Sequence, residues 1–128
     1  MESQVTRVLL IDDEPRVAKA LAYAVSGRDI EITSETDPTR ALATATAAPP
    51  DAILLDIDLG SMDGLVLCRA LKNAESTRHV PILLLSGHVD EETKVAGFAA
   101  GADDFVTKPF APGDLMARVD AHVRRSRV

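Results

Sequence analysis

Residues 53–60 read ILLDIDLG: three aliphatic residues in a row, then Asp56 and Asp58 on either side of Ile57. A short apolar run of this kind is a buried strand, and Asp56 stands directly at its exit. A solvated turn accounts for Asp58 but gives no reason for an acid immediately after three buried aliphatics. The neighbouring sequence repeats the layout. TRVLLID (6–12) is another β-rich run ending in an acid, and VPILLLS (80–86) ends in a hydroxyl.

Between the apolar runs lie helix-period segments. PRVAKALAYAVSG (15–27) places Pro15 in the first turn and Gly27 at the stop. DIEITSET (29–36) alternates as a strand, and the Ala-rich PTRALATATAAPP (38–50) is a helix closed by Pro49 and Pro50. DAILLDIDL (51–59) is the third strand and GLVLCRALKNAES (64–76) the third helix. HVPILLLSG (79–87) is followed by the helix DEETKVAGFAAG (90–101), which ends at Gly101. ADDFVTKPF (102–110) is the fifth strand with its exit, and APGDLMARVDAHVRR (111–125) is the last helix. Strands this uniformly apolar belong to a parallel sheet covered on both faces, so five βα units predict a doubly wound α/β fold. Ligands of such sheets sit at the carboxyl ends of the strands, near the point where strand order reverses. If the first and third strands are neighbours, Asp12, Asp13, Asp56, Asp58, Ser86 and Lys108 converge there.

With 128 residues the chain has the length of one domain, and its composition, 46% hydrophobic and 27% charged, is that of an ordinary globular protein. One domain over residues 1–123 is expected, with the basic RRSRV (124–128) as a tail or the start of a linker. The net charge of −6 argues against a nucleic-acid surface spread over this domain. No apolar stretch is long enough to cross a bilayer, and the N-terminus lacks the pattern of a secretory signal. The single cysteine, Cys68, has no internal partner for a disulfide, so a cytoplasmic location is expected.

Three carboxylates in one pocket repel one another unless a cation holds them. An all-oxygen set with room for water suits Mg²⁺, with Mn²⁺ the alternative, and no His or Cys accompanies it at the spacing of a softer metal. Lys108, in TKPF, stands above that pocket, where it pairs with Asp56 or with an incoming phosphoryl oxygen. The bland readings are helix capping for Asp13, a turn for Asp58 and a solvated surface position for Lys108. The Lys108–Pro109 bond is a candidate for the cis form.

Four stretches, LLIDDEP (9–15), ILLDIDLGSMDG (53–64), PILLLSG (81–87) and GADDFVTKPF (101–110), occur in an order and at intervals that resemble the receiver domain of two-component response regulators. The resemblance implies a flavodoxin-like five-stranded parallel sheet in the order 2-1-3-4-5 with five helices. It implies that Asp56 is the phosphoacceptor, attacking a phosphohistidine of a histidine kinase or phosphotransfer protein. Asp13 would ligate Mg²⁺ directly, Asp12 through water, and Asp58 through its backbone carbonyl. Lys108 and Ser86 would contact the phosphoryl group. Phe105 would be the switch aromatic of a face formed by helix 4, strand 5 and helix 5. That face also suits a homodimer, with Asp104 and Arg118 on it, and the kinase would dock beside the first helix near Pro15.

This sequence departs from the family pattern at Gly60, where proline is usual, and at Gly87, where alanine is usual; both loosen their loops. Phe105 lacks the hydroxyl of a tyrosine. Asp58 and His88 flank the phosphosite at variable positions, and His88 reads as an exposed loop residue. Cys68 reads as core, and His79 and His122 as isolated. The chain is expected to catalyse only its own phosphorylation and dephosphorylation. Two other readings remain: a receiver-like interaction module that works without phosphorylation, and a haloacid-dehalogenase-type phosphatase using the Asp56-Ile-Asp58 pair. The second lacks the usual Thr or Val at position 60, carries its motif in mid-chain and has no cap domain. An EF-hand fails because Ser61 stands where the loop needs its turn glycine.

Overall fold

A computed structural model describes residues 5–58, 63–88 and 90–127. Gly60, where the family pattern has proline, lies outside them. The elements alternate strictly: β1 (Thr6–Ile11), α1 (Pro15–Ala24), β2 (Ile30–Glu35), α2 (Pro38–Ala47), β3 (Ala52–Asp56), α3 (Gly64–Asn73), β4 (Ile82–Ser86), α4 (Glu91–Ala99), β5 (Asp104–Thr107) and α5 (Pro112–Ser126). All four strand pairings are parallel, in the order β2-β1-β3-β4-β5. Strand order therefore reverses between β1 and β3, which places the crevice where the acids stand.

The sheet alternation divides the core in two. Val8, Leu10, Leu54, Leu83 and Leu85 face one side and are covered by α1 and α5 through Leu21, Leu115, Met116 and Val119. Leu9, Ile11, Ile53, Leu55 and Leu84 face the other, beneath Ala41 and Ala45 of α2 and Leu67, Cys68 and Leu71 of α3. The three central strands are thus apolar on both faces because both faces are covered. Burial is least complete in the two edge strands. In β2 just Glu35 is buried, and in β5 just Val106.

Helix ends follow local chemistry. Asp37, Asp63 and Asp90 cap α2, α3 and α4 by accepting from backbone amides of the first turn. Asp13 caps nothing: the N-cap of α1 is Glu14, which makes no side-chain cap. After α1, Gly27 adopts φ +82°, a left-handed conformation that other residues take up only with strain. The last helix, read from the sequence as residues 111–125, is α5. It runs to Ser126, anchored by buried Val123, so Arg124 and Arg125 lie in its last turn. No helix among the described residues is long and apolar enough to cross a membrane.

The helix α4 is attached differently from the rest. Its one buried residue is Gly97, while Val95 and Phe98 on the same helix are exposed. A Cβ on Gly97 would lie 2.8 Å from Leu84 Cδ1 and 3.4 Å from the Phe105 ring, so the missing side chain is what lets α4 approach the sheet.

Candidate functional site: an acidic pocket at the strand ends

The register explains the convergence. Ile11 pairs with Leu55, so Asp12 and Asp56 emerge side by side from β1 and β3. Asp56 pairs with Leu85, and Ser86 with Thr107, which brings Ser86 and Lys108 to the same edge. Carboxylate oxygens of Asp12, Asp13 and Asp56 all lie within 4.8 Å of one another. Asp12 is 2% and Asp56 3% exposed, whereas Asp13 is exposed.

Asp56 is held at both oxygens. Oδ1 accepts from the Asp58 amide at 2.8 Å, and Oδ2 pairs with Lys108 Nζ at 2.9 Å. Burial alone would lower the affinity of Lys108 for its proton. The hydrogen bond to Asp56 and the surrounding carboxylates outweigh it and raise the pKa above the ordinary lysine value, so the ammonium is charged at neutral pH. The Lys108–Pro109 peptide bond is cis.

Asp12 is the least satisfied group of the site. Oδ1 accepts from the Glu14 amide at 2.8 Å, but buried Oδ2 has no hydrogen-bond partner. Burial, and next the charge on Asp56, push its carboxyl above the usual carboxylate range. Buried polar atoms are seldom left orphaned, and an orphan carboxylate oxygen facing two other acids fits a cation. The donor set is wholly oxygen, which matches Mg²⁺ or Mn²⁺ and not a metal bound by sulfur or imidazole.

Asp58 shows more than its sequence position promised. Its side chain turns to the exit of β4. There it accepts from Ser86 Oγ at 3.2 and 3.4 Å and from the Gly87 amide at 2.9 Å, and it lies 3.1 Å from His88 Nδ1. Burial raises its carboxyl, but the Gly87, His88 and Ser86 hydrogen bonds together hold it below the ordinary range. His88 is 71% exposed at its side chain, as its loop position suggests, yet it is engaged with Asp58. The sequence carries no signal for this contact, because 30 residues separate the pair.

Phe105 is half-buried beside Gly97. Asp104 and Arg118 pair within one chain at 3.3 Å. The expectation that His122 is isolated is corrected: its Nε2 lies 3.0 Å from Asp104 Oδ2, and its side chain is only 14% exposed. His79 remains exposed, with Arg78 Nε 3.3 Å from its ring. Cys68 is buried, and its thiol is pushed up to about 11, first of all by desolvation.

A doubly wound sheet carrying an acid-and-lysine pocket at its switch point defines a narrow class of proteins. Residues 8–120 match the response regulator receiver domain family, and the chain belongs to that family. It is 38% identical over 126 residues to the DNA-binding response regulator MtrA of Mycolicibacterium smegmatis, covering 98% of this chain and 54% of that one. It is 36% identical over 122 residues to the alkaline phosphatase synthesis transcriptional regulatory protein PhoP of Bacillus subtilis, covering 95% and 50%. The chain therefore spans about half the length of these curated relatives. Among solved structures, the BeF3-activated N-terminal receiver domain of RstA from Klebsiella pneumoniae superposes with a TM-score of 0.82. The identity is 29%, over 93% of this chain and 99% of that one. The chemotaxis response regulator CheY4 of Vibrio cholerae gives a TM-score of 0.85 at 27% identity, over 93% and 99%.

Proposed function

We propose that this receiver accepts a phosphoryl group on Asp56 from a phosphohistidine of a kinase or phosphotransfer protein, and that the modified pocket switches the face of α4, β5 and α5. The observation that carries this reading is the setting of Asp56: buried, fixed at 2.9 Å from Lys108 and clustered with Asp12 and Asp13. Phosphoryl transfer is largely positioning and charge neutralisation, and such a pocket does both.

Each Asp56 oxygen keeps a lone pair free beside the hydrogen bond that orients it. One attacks phosphorus, the P–N bond breaks, and its electron pair returns to the leaving imidazole. The product is an acyl phosphate on Asp56. Lys108, charged throughout, neutralises the phosphoryl oxygens as negative charge gathers on them. Asp12, Asp13, Asp56 and the Asp58 carbonyl are assigned to hold Mg²⁺, which when bound supplies the remaining positive charge at those oxygens. Ser86 then moves to the phosphoryl group, and Phe105 turns into the space it leaves, a two-state element biased by a local charge change.

The partner's histidine is assigned to approach beside α1. There an apolar cleft of about 460 Å³ is lined by Val17, Ala20, Pro109 and Phe110 next to Lys108. The switched face is assigned to self-association; sedimentation of the phosphorylated chain as a monomer at high concentration would rule that out. The phosphotransfer reading is tested by intact mass after incubation with acetyl phosphate, with and without Mg²⁺. A single phosphoryl adduct, absent without Mg²⁺ and absent in Asp56→Asn, is expected. An equal adduct in Asp56→Asn, or none in the unmodified sequence, would overturn it.

A further inference from the structure

The exit of β4 offers two donors and an imidazole to one anion, and that anion is the Asp58 carboxylate. Ser86 is fully buried, and its hydroxyl proton is committed to Asp58 while its oxygen accepts from the His88 amide at 3.0 Å. The Gly87 amide makes the shortest of the contacts to Asp58, at 2.9 Å. The two Asp56 oxygens, meanwhile, are contacted by Lys108 and by the Asp58 amide and not by Ser86. The hydroxyl assigned to a phosphoryl group on Asp56 is therefore already in use two residues away.

We propose that the Asp58 carboxylate is a positioning residue: an internal anion that holds Ser86 and Gly87 in the resting arrangement until a phosphoryl group on Asp56 takes those donors from it. This rests on the reading of Asp56 given above. The competition has a clear direction. A carboxylate offers one negative charge and two oxygens, whereas a phosphoryl group carries more charge and three strong acceptor oxygens. The new charge also repels Asp58. Switching thus exchanges one set of charge-assisted hydrogen bonds for a stronger set, and the hold of Asp58 sets the threshold for the exchange. His88, at 3.1 Å on the solvent side, steadies the carboxylate in that pose.

The test is a double-mutant cycle on the full chain at saturating Mg²⁺. It measures by amide NMR titration the affinity for beryllofluoride, an analogue of the phosphoryl group, in the unmodified chain, Asp58→Ala, Ser86→Ala and the double variant. Release of the hold should tighten binding in Asp58→Ala roughly five- to tenfold. That gain should largely vanish when Ser86→Ala is already present. Without ligand, the Gly87 amide resonance should move upfield in Asp58→Ala, with other changes confined to the neighbours of residues 58 and 86–88. His88→Ala, which removes a neighbour of Asp58 and no ligand of the pocket, should tighten binding by a smaller factor. An equal gain in both backgrounds would show that only the charge of Asp58 matters, and an unchanged or weakened affinity in Asp58→Ala would show no hold at all. Either result overturns the proposal. No binding by the unmodified chain would instead refute the reading of Asp56, and the proposal with it.

Discussion

Replacing Asp12 by asparagine should make the protein more stable when no divalent cation is present. Asp12 is 2% exposed, its Oδ2 has no hydrogen-bond partner, and carboxylate oxygens of Asp13 and Asp56 lie within 4.8 Å. Two unit charges at that distance repel by about 3.5 kcal/mol at an effective dielectric constant of about 20. Lys108 and solvent around exposed Asp13 offset part of this. Asparagine keeps the acceptor used by the Glu14 amide and puts a donor where the orphan oxygen stood. A net gain of about 1–2 kcal/mol, or roughly 4–8 °C in Tm, is expected in a chelator at neutral pH. The sign with pH follows from the raised Asp12 carboxyl. An acid that binds its proton more tightly in the folded state costs stability above its folded pKa and none below its ordinary one. The gap between variant and parent should therefore narrow as pH falls. Mg²⁺ should narrow it too, because the parent binds the ion better and is stabilised by mass action. Far-UV circular dichroism melts with and without Mg²⁺ measure all of this. A variant that melts below its parent in chelator would refute the reasoning.

Three further outcomes follow from other parts of the molecule. Gly97→Ala should lose up to about 2 kcal/mol in urea denaturation, overpacking against Leu84 and Phe105 being partly offset by better helix propensity; amide shifts should concentrate on α4 and β5. For Asp104, burial raises the carboxyl, but the bonds to His122, the Phe105 amide and Arg118 hold it below the ordinary range. Its stabilising share is present above the unfolded-state pKa and lost as pH falls through the lower folded one, so Asp104→Asn should show a shallower decline in urea midpoint below about pH 4. The Cys68 thiol, pushed up to about 11 and buried, should react with a disulfide reagent at mildly alkaline pH only after denaturant is added.

The parts of the fold that sequence made legible are those where burial is complete. Residues 53–55 and 82–85 are fully buried, so their apolar runs had one structural meaning, and the acid or hydroxyl that ended each run marked the pocket. Proline and glycine punctuation located the helices, as Pro15, Pro38, Gly27 and Gly101 show. Where a residue's meaning depends on a distant neighbour, the sequence was silent. Asp58 reads as a turn residue because Ser86, Gly87 and His88, its actual partners, arrive from another strand. His122 looks solitary because Asp104 lies 18 residues away, across the α5–β5 contact. The sequence carries no signal for the close approach at Gly97, whose reason is the position of Leu84 beneath it.

The central claim is that one carboxylate, Asp56, becomes an acyl phosphate. Sodium borohydride reduces such a group to an alcohol and leaves free carboxylates alone, so reduction after acetyl phosphate treatment marks the acceptor permanently. Peptide mass mapping should then find the reduced side chain at Asp56, and only in samples that contained Mg²⁺. A mark at Asp12, Asp13 or Asp58, or an unmarked protein that nonetheless carried the phosphoryl adduct, would contradict it.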